Sequence, residues 1–314
     1  MRYYTISILD GGREMRSYTS FPGGKNDLGA LDVELDLPVT VLSTPIGGGH
    51  VSIYGVSLQE ISQSSDYNGK QIKVYGGMQA GLPLADPSQS GLLVAGTIYQ
   101  AFGNWIGTDQ TINFFIGPDA GSNDTPKNLV LNWKAGTNLA DALTSTLKTA
   151  YPGYTVTANI KDNLIQTLDE PSYHSTLGQL ADYVTSRTQA MIGGSYTGVK
   201  IVLKDKEFSV YDGTSPSETK QIKFTDLIGQ PTYRGPFTIS VTLVMRADIF
   251  VGDHIKLPKT LLTNTSAALT QYRDTSVFQG IFQVLSIRHV GRFRQPDGNS
   301  WVTIVEATGD GSGR

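Results

Sequence analysis

The sequence contains no cysteine, which excludes disulfide bonds, thiolate metal sites and a cysteine nucleophile. Charged residues are also scarce, at 17% of the chain, and the formal net charge of −3 argues against a protein that binds nucleic acid by neutralising phosphates. No apolar run approaches the ~18 residues of a membrane span, and the alternating start Met1–Ile6 does not resemble a signal peptide. We therefore expect synthesis in a cytoplasm, without need of an oxidising compartment.

Motifs for catalysis and for phosphate binding are also missing. The glycine clusters at residues 47–49, 76–77 and 193–194 lack G-x-G-x-x-G and Walker spacing, so we expect tight turns there. His174 precedes Ser175, but no G-x-S-x-G elbow accompanies them. The other histidines are isolated, with no i, i+4 pair and no H-E-x-x-H motif: His50, His254 and His289. We predict no enzyme activity, no cofactor and no catalytic or metal-binding residue.

The chain is rich in glycine, with 35 residues, and its first third alternates apolar and polar residues with a period of two. Leu31, Val33, Leu35 and Leu37 face one side of a predicted strand. The pair Asn68-Gly69 signals a turn before another strand. Short strands separated by Gly/Pro/Ser-rich stretches indicate a barrel or a sandwich. Further strands are predicted at residues 50–61, 71–75, 92–100 and 111–116.

Residues 119–126 have the composition of a linker, and the periodicity changes after them. Apolar residues at helical spacing predict a helix that starts at Leu139, with Thr137 or Asn138 as its cap, and stops before Pro152. A second helix begins at Thr176, which has capping-box spacing to Gln179, and stops at Gly193-Gly194. Hairpins are predicted from residues 154–160 with 164–168 and from residues 199–203 with 207–211. This part reads as a compact α+β unit.

The β pattern returns from Lys220, with strands predicted at residues 238–246, 253–257, 280–289 and 301–307. Residues 263–275 form a polar excursion, and we expect disorder at residues 309–314. The fold class is therefore mainly β with an α+β insertion. The expected domains are two barrel-like units, residues 1–125 and 216–314, on either side of a small α+β domain, residues 126–215.

Three acidic residues alternate along one predicted strand: Asp32, Glu34 and Asp36. Alternate residues of a strand share a face and lie ~7 Å apart. Three interpretations remain open. The face is solvated, as most carboxylates are; it lines a channel and repels DNA phosphates; or two of the carboxylates flank a water, as in a glycosidase.

A basic cluster lies near the predicted turn at Pro296-Asp297-Gly298. It comprises Arg288, His289, Arg292 and Arg294, with Phe293 among them. Four positive groups on an acidic protein make a weak nucleic-acid site, so a polar interface rim or a plain hairpin tip explains them better.

Read in order, the chain resembles the baseplate hub family of contractile-tailed bacteriophages, whose building plan also opens type VI secretion spike proteins. Arg246–Asp253 is similar to the family's "R-x-D-I-x-V-G-D" strand and turn, and residues 282–289 with 301–303 resemble its closing strand pair. The other segments that carry the resemblance are 51–58, 68–77, 93–99, 135–143, 174–183 and 226–231. The alanine of the family's hairpin is absent, and Gly178 replaces a better helix former.

The resemblance implies two tube-type barrels in each protomer and three protomers in a pseudo-sixfold ring. Such a ring would mate a hexameric tail tube to a trimeric spike and form part of the DNA channel. It implies a homotrimer that contacts the tail tube protein, the central spike protein and other baseplate proteins. DNA would pass without specific binding, the chain would not insert into a membrane, and the protein would be part of a virion assembled in the host cytoplasm. Asp32, Glu34 and Asp36 are the candidates to line the lumen.

Two other functions remain possible. A module that recognises carbohydrate or a receptor predicts clustered, exposed aromatic residues, for which Trp105 and Trp133 are the candidates. A tail-associated peptidoglycan hydrolase predicts a cleft with two carboxylates of perturbed pKa.

Overall fold

The structure is a computed structural model that describes residues 1–44, 48–79, 86–118, 128–194, 196–214, 219–235, 237–258, 278 and 280–309. Three predicted features lie outside these residues: the linker at 119–126, the polar excursion at 263–275 and, apart from Gly309, the tail.

Strands dominate the first part of the chain. The described residues before residue 119 form β1 (Arg2–Asp10), β2 (Arg13–Thr19), β3 (Asp32–Val39), β4 (Gly49–Tyr54), β5 (Gln71–Met78), β6 (Gly91–Ile106) and β7 (Asp109–Pro118). We call them the first β block. The predicted alternation is found in β3, where Val33, Leu35 and Leu37 are buried.

The strand predicted at residues 50–61 is shorter than expected. β4 ends at Tyr54, and Leu58–Ser62 forms a short helix, α1. Ser57 and Glu60 explain the break, because they form a capping box in which each side chain bonds the other's backbone N–H. Leu58 is 48% exposed, so this part of the predicted strand does not face a core.

The middle part combines helices and small sheets. Its elements are β8 (Leu129–Trp133), α2 (Leu139–Ala150), β9 (Thr155–Asn159), β10 (Glu170–His174), α3 (Leu177–Ile192), β11 (Lys200–Lys204) and β12 (Glu207–Tyr211). The caps agree with the sequence: Asn138 accepts a hydrogen bond from the Ala140 N–H, and Thr176 accepts one from the Gln179 N–H. The β11–β12 hairpin also forms as predicted, with Asp205 at a φ of 50° in its turn.

The hairpin predicted from residues 154–160 and 164–168 is wrong. β9 instead pairs in parallel with β12, and Glu207 lies opposite Thr155. The strand that follows in sequence is β10, which pairs with β8. Periodicity identified β9 as a strand, but it carries no information about a partner about fifty residues away.

The last part of the chain is again made of strands. They are β13 (Thr219–Gln221), β14 (Thr232–Gly235), β15 (Thr238–Val244), β16 (His254–Lys256), β17 (Ile281–Arg292) and β18 (Trp301–Gly309), which we call the second β block. Four 3-10 helices complete the described elements: Pro22–Gly24, Ser64–Tyr67, Pro87–Gln89 and Phe224–Asp226. The predicted mainly β protein with an α+β insertion is confirmed.

The two β blocks share one sheet of 13 strands. Its main path runs β14-β15-β18-β17-β3-β4-β7-β6-β5-β1-β2, and β13 and β16 branch from it at β17. The antiparallel pair β3–β17 joins the blocks, with Asp36 opposite Val290 and Glu34 opposite Arg292. The sequence predicted barrel-like units; in the described residues this path ends at β14 and β2 and is not closed by hydrogen bonds.

Three hydrophobic cores pack against these sheets. The first contains residues of the first β block, such as Tyr4 and Phe114, together with Trp301 from the second. The second fills the α+β part around Trp133, and the third fills the second β block around Val305. The Trp301 indole also donates a hydrogen bond of 2.9 Å to the Gly77 carbonyl, so the end of the chain helps to close the first core.

Candidate functional site

The acidic row of β3 lies on the face of the shared sheet that points away from the first core. Asp32, Glu34 and Asp36 alternate with the buried residues of the strand, as the sequence predicted. Across the sheet, Asp36 lies opposite His50 of β4 and Val290 of β17. We call this surface the polar face.

The structure brings the basic cluster onto the acidic row, which the sequence treated as two separate features. The Arg288 guanidinium donates a hydrogen bond to the Asp36 carboxylate, with 2.6 Å between Nε and Oδ1. Arg292 pairs with Asp32 at 3.4 Å. Glu34 accepts a hydrogen bond of 2.9 Å from the Tyr54 hydroxyl. Three carboxylates and two guanidinium groups give this strip a formal charge of −1, so most of its negative charge is compensated.

The paired arginines remain accessible to solvent. The hydrogen bond that Arg288 donates to Asp36 raises the pKa of Arg288, and the one that Arg292 donates to Asp32 raises the pKa of Arg292. The Arg288 and Asp36 side chains are 57% and 42% exposed, so each pair contributes less than ~1 kcal/mol to stability. The strip is a hydrated array of opposite charges and not a buried ionic core.

The remaining members of the basic cluster have structural roles. Phe293 packs edge-on against Tyr4, with ring centroids 4.9 Å apart. Arg294 donates from its guanidinium to the Leu28 carbonyl at 3.0 Å and from its backbone to Asp32. Arg2 binds the backbone carbonyls of this turn, including that of Asp297 at 2.8 Å. The cluster therefore does not form a free basic patch for phosphates.

His289 lies on the opposite side of β17 from Arg288 and is only 3% exposed. It sits between Leu37 of β3 and Thr303 of β18, and its Nδ1 is 2.9 Å from the Thr303 hydroxyl. Burial lowers the pKa of His289 to about 3, so the imidazole is neutral at physiological pH.

Half-exposed aromatic rings continue the polar face beyond the acidic row, and the sequence did not predict this cluster. The His50 and Phe115 rings lie 4.8 Å apart. Tyr99 and Phe102 of β6 flank Phe115 at 5.8 Å and 5.9 Å. The signal was the outward alternation of Thr111, Asn113 and Phe115 in β7, but a bulge between Ile98 and Gln100 hides it in β6. We call these four rings the aromatic row.

The two candidate tryptophans differ in burial. Trp133 is 1% exposed and belongs to the core of the α+β part. Trp105 is 62% exposed near the tip of the β6–β7 hairpin, and its indole N–H donates to the Gly107 carbonyl at 2.9 Å. They form no cluster with each other.

Residues of the Arg246–Asp253 segment stabilise the fold. The buried Arg246 guanidinium bonds Asp226 at 2.9 Å and Asp248 at 2.7 Å, and these bonds outweigh desolvation and raise its pKa. Gly252 has a φ of 94°, and a β-carbon there would lie 2.8 Å from the Tyr211 ring. Ion pairing and packing therefore explain the conformation of this segment.

Within the described residues, His174 and the neighbouring Ser175 bond different partners and not each other. His174 bonds the Ser172 hydroxyl at 3.0 Å, whereas Ser175 donates to Gln179 at 2.8 Å. Residues 76–77 lie inside β5, so the predicted turn there was wrong, whereas Gly193 and Gly194 follow α3 with positive φ.

A cavity of about 940 Å³ touches all three cores through Leu93, Leu42 and Val202. Within the described residues, no group of three or more histidine and acidic side chains is arranged to hold a metal ion. The helices of that part of the chain also include none that is long and apolar enough to cross a bilayer.

Several solved structures share this fold. A tail protein from Neisseria meningitidis MC58 matches with a TM-score of 0.55 and 14% identity, covering 98% of this chain and 97% of its own. The 43 kDa tail protein of prophage MuSo2 from Shewanella oneidensis matches with a TM-score of 0.54 and 8% identity over 98% of both chains. The E. coli protein c3393 is a component of the type VI secretion system, described as similar to the T4 tail proteins gp27 and gp5. It matches with a TM-score of 0.52 and 10% identity over 89% of this chain and 73% of its own. No protein-family model and no curated protein sequence matches the chain.

Proposed function

We propose that the protein is a structural component of a phage-type tail, namely the baseplate hub. In this proposal three copies form a pseudo-sixfold ring that adapts a hexameric tail tube to a trimeric spike. Each copy contributes two tube-type β units, residues 1–125 and 216–314, separated by the α+β unit at residues 126–215. The ring contacts the tube protein, the spike protein and other baseplate proteins. It belongs to a virion that is assembled in the host cytoplasm.

The observation that carries the proposal is the whole-length fold match to tail proteins, which leaves little of either chain unmatched. A partial match would have been explained by one common β unit. Here both β blocks and the α+β part are matched together. The shared sheet adds a physical reason, because it gives both blocks one continuous face that a ring of copies can turn toward its axis.

The polar face supplies the surface that a DNA channel requires. We infer that Asp32, Glu34 and Asp36 line this channel. Their pairing with Arg288 and Arg292 changes the mechanism expected from the sequence, which was simple repulsion of phosphates. A strip of compensated charges attracts DNA weakly and also repels it weakly, so a duplex passes without specific binding.

A hydrolase is less well supported by the carboxyl groups. A glycosidase needs a general acid with a raised pKa. At Glu170, hydrogen bonds from Arg187 lower the pKa instead. Two of the three acids on the polar face are neutralised by arginine, so they are poorly suited to act as a catalytic pair. We propose that the protein is not an enzyme and needs no cofactor.

The absence of cysteine permits a direct test of the channel. Glu34→Cys places a thiol on the polar face, and Tyr173→Cys places a matched thiol on β10, where the side chain is 77% exposed. Each variant is co-expressed with candidate tube and spike proteins of the same tail, and the complex is purified. The thiols are then labelled with a small maleimide and with a bulky polymer maleimide.

The hub proposal predicts co-purification of all three proteins and a ring of three copies by native mass spectrometry. In that ring both thiols react with the small reagent, and only Tyr173→Cys reacts with the bulky one. Failure to recover tube and spike would contradict the hub assignment. Recovery with equal bulky labelling at both positions would contradict the assignment of the polar face to the lumen.

A further inference from the structure

The cavity between the three cores extends as a slot along β12. Phe208 and Val210 of this strand point into the core of the α+β part. Asp205 before the strand and Gly213 after it line the cavity, and so do the alternate residues between them: Glu207, Ser209 and Tyr211. Because a strand rises ~3.3 Å per residue, the cavity is at least ~13 Å long. We call it the β12 slot.

The two walls of the β12 slot differ in polarity. The wall of the α+β part carries hydroxyl and amide groups, since Thr157 and Asn159 of β9 are exposed there and Thr157 lies beside Ser209. The opposite wall belongs to the two β blocks and is apolar, with Leu93 from the first core and Ile249 from the third. A chain that fills this slot needs polar side chains on one side and apolar side chains on the other, which is the alternation of an amphipathic β-strand.

Two buried polar atoms at the ends of the slot have no hydrogen-bond partner within the described ranges of the chain. They are Oδ1 of Asp205 and Nε2 of Gln283. Asp205 precedes β12, whereas the Gln283 amide lies against Gly213, where a β-carbon would be 2.7 Å from Nε2. Buried polar groups are nearly always satisfied in native proteins. One end of the slot thus offers an acceptor and the other a donor, which suits a backbone segment that carries both C=O and N–H groups.

The charges that line the slot compensate one another. Asp205 and Asp253 each bond a lysine side chain, at 2.8 Å and 2.7 Å. The other two charged residues of the described lining, Glu207 and Lys204, have opposite signs. A slot without net charge favours an uncharged segment, because a charged group that entered it would lose its hydration without gaining a free counter-charge.

We propose that the β12 slot binds an extended, amphipathic segment of the spike protein, about six residues long. This inference rests on the proposed hub function, which supplies the partner. Each copy has one such slot, so a ring of three copies presents three slots, in agreement with a trimeric spike and not with a hexameric tube. The apolar side chains of the segment pack on Ile249, and its polar side chains face Ser209. Its backbone bonds Asp205 at one end and Gln283 at the other.

Single thiols test this binding mode in the otherwise cysteine-free chain. Ser209→Cys places a thiol in the middle of the slot, and Ser145→Cys places one at an exposed position of α2 in the same part of the chain. The full-length variants are labelled with a small maleimide, alone and in complex with the candidate spike protein of the same tail. We expect both thiols to react in the free chain. The spike should slow the reaction of Ser209→Cys at least tenfold and leave that of Ser145→Cys unchanged.

Two substitutions measure how far spike binding depends on the slot. Ser209→Arg fills the slot and should weaken the affinity for the spike at least tenfold in titration calorimetry, whereas Ser145→Arg should leave it unchanged. Gln283→Met removes the unpaired amide and should weaken the affinity at least threefold. Since it also removes an unsatisfied buried donor, the free Gln283→Met chain should melt at the same or a higher temperature than the wild type. Circular dichroism checks the fold of each variant.

The outcomes distinguish the slot from the hub function. Capture of the spike with full reactivity of Ser209→Cys, or with unchanged affinity of Gln283→Met, overturns the slot as the binding site and leaves the hub function intact. A thiol of Ser209→Cys that does not react in the free chain also overturns the inference, because the slot is then closed. Failure of the wild-type chain to bind the spike contradicts the hub function itself.

Discussion

Lowering the pH should destabilise the folded protein through His289. The imidazole is buried and its pKa is about 3, whereas a histidine in an unfolded chain has a pKa of ~6.5. Between these values the unfolded state binds one more proton than the folded state. Stability is therefore fully present above the unfolded pKa and falls as the pH decreases toward the folded one. The cost is ~1.4 kcal/mol per pH unit, or about 2 kcal/mol between pH ~7 and pH ~5.

Urea denaturation at these two pH values measures the effect. Other groups also titrate in this range, so the quantity to compare is the difference in unfolding free energy between the wild type and His289→Gln. The glutamine retains a polar group near the Thr303 hydroxyl but takes up no proton. We expect the advantage of the wild type to shrink by about 2 kcal/mol on acidification.

Val305→Ala is the matched control, because Val305 is fully buried in the third core and does not titrate. It should lower the free energy of unfolding by a similar amount at both pH values. If the difference between wild type and His289→Gln is the same at both pH values, His289 is not held neutral by burial and the reasoning fails.

Three further predictions concern packing and exposure. Arg246→Met leaves a buried aspartate without its counter-charge and should lower the free energy of unfolding in urea by ~3–5 kcal/mol. Arg288→Met, at an exposed pair, should lower it by less than ~1 kcal/mol, and equal losses would contradict the difference in burial. Gly96→Ala should lower the melting temperature because its β-carbon would collide with the facing strand, while Gly298→Ala, with open space around it, should not. Acrylamide should quench one tryptophan much more strongly than the other two, and Trp105→Phe should remove that component; unchanged quenching would place the exposed indole elsewhere.

Local patterns in the sequence predicted local structure well. The alternation of β3 identified both the strand and its buried face. Thr176 was identified as a helix cap because its hydroxyl accepts from the Gln179 N–H within one turn. Both features depend on contacts between residues that are close in sequence, where spacing determines geometry.

Contacts between distant segments were not predictable in the same way. Periodicity gave no sign that β9 would pair in parallel with β12. The acidic row and the basic cluster were both recognised, but Asp36 and Arg288 lie 252 positions apart, and no pattern indicated that they would pair. The aromatic row was missed because its members come from three strands and one of them follows a bulge.

The junction between β3 and β17 also determines when the protein can finish folding. A ribosome adds ~5–20 residues per second, so the 252 positions from Asp36 to Arg288 take roughly 10–50 s to synthesise. During that time β3 has no neighbour on one side, and its backbone groups there can pair with another nascent chain. Ribosomes on one messenger RNA thus hold several incomplete sheets close together. Chaperone binding to the exposed edge of β3, or wider spacing of the ribosomes, would therefore raise the yield of soluble protein.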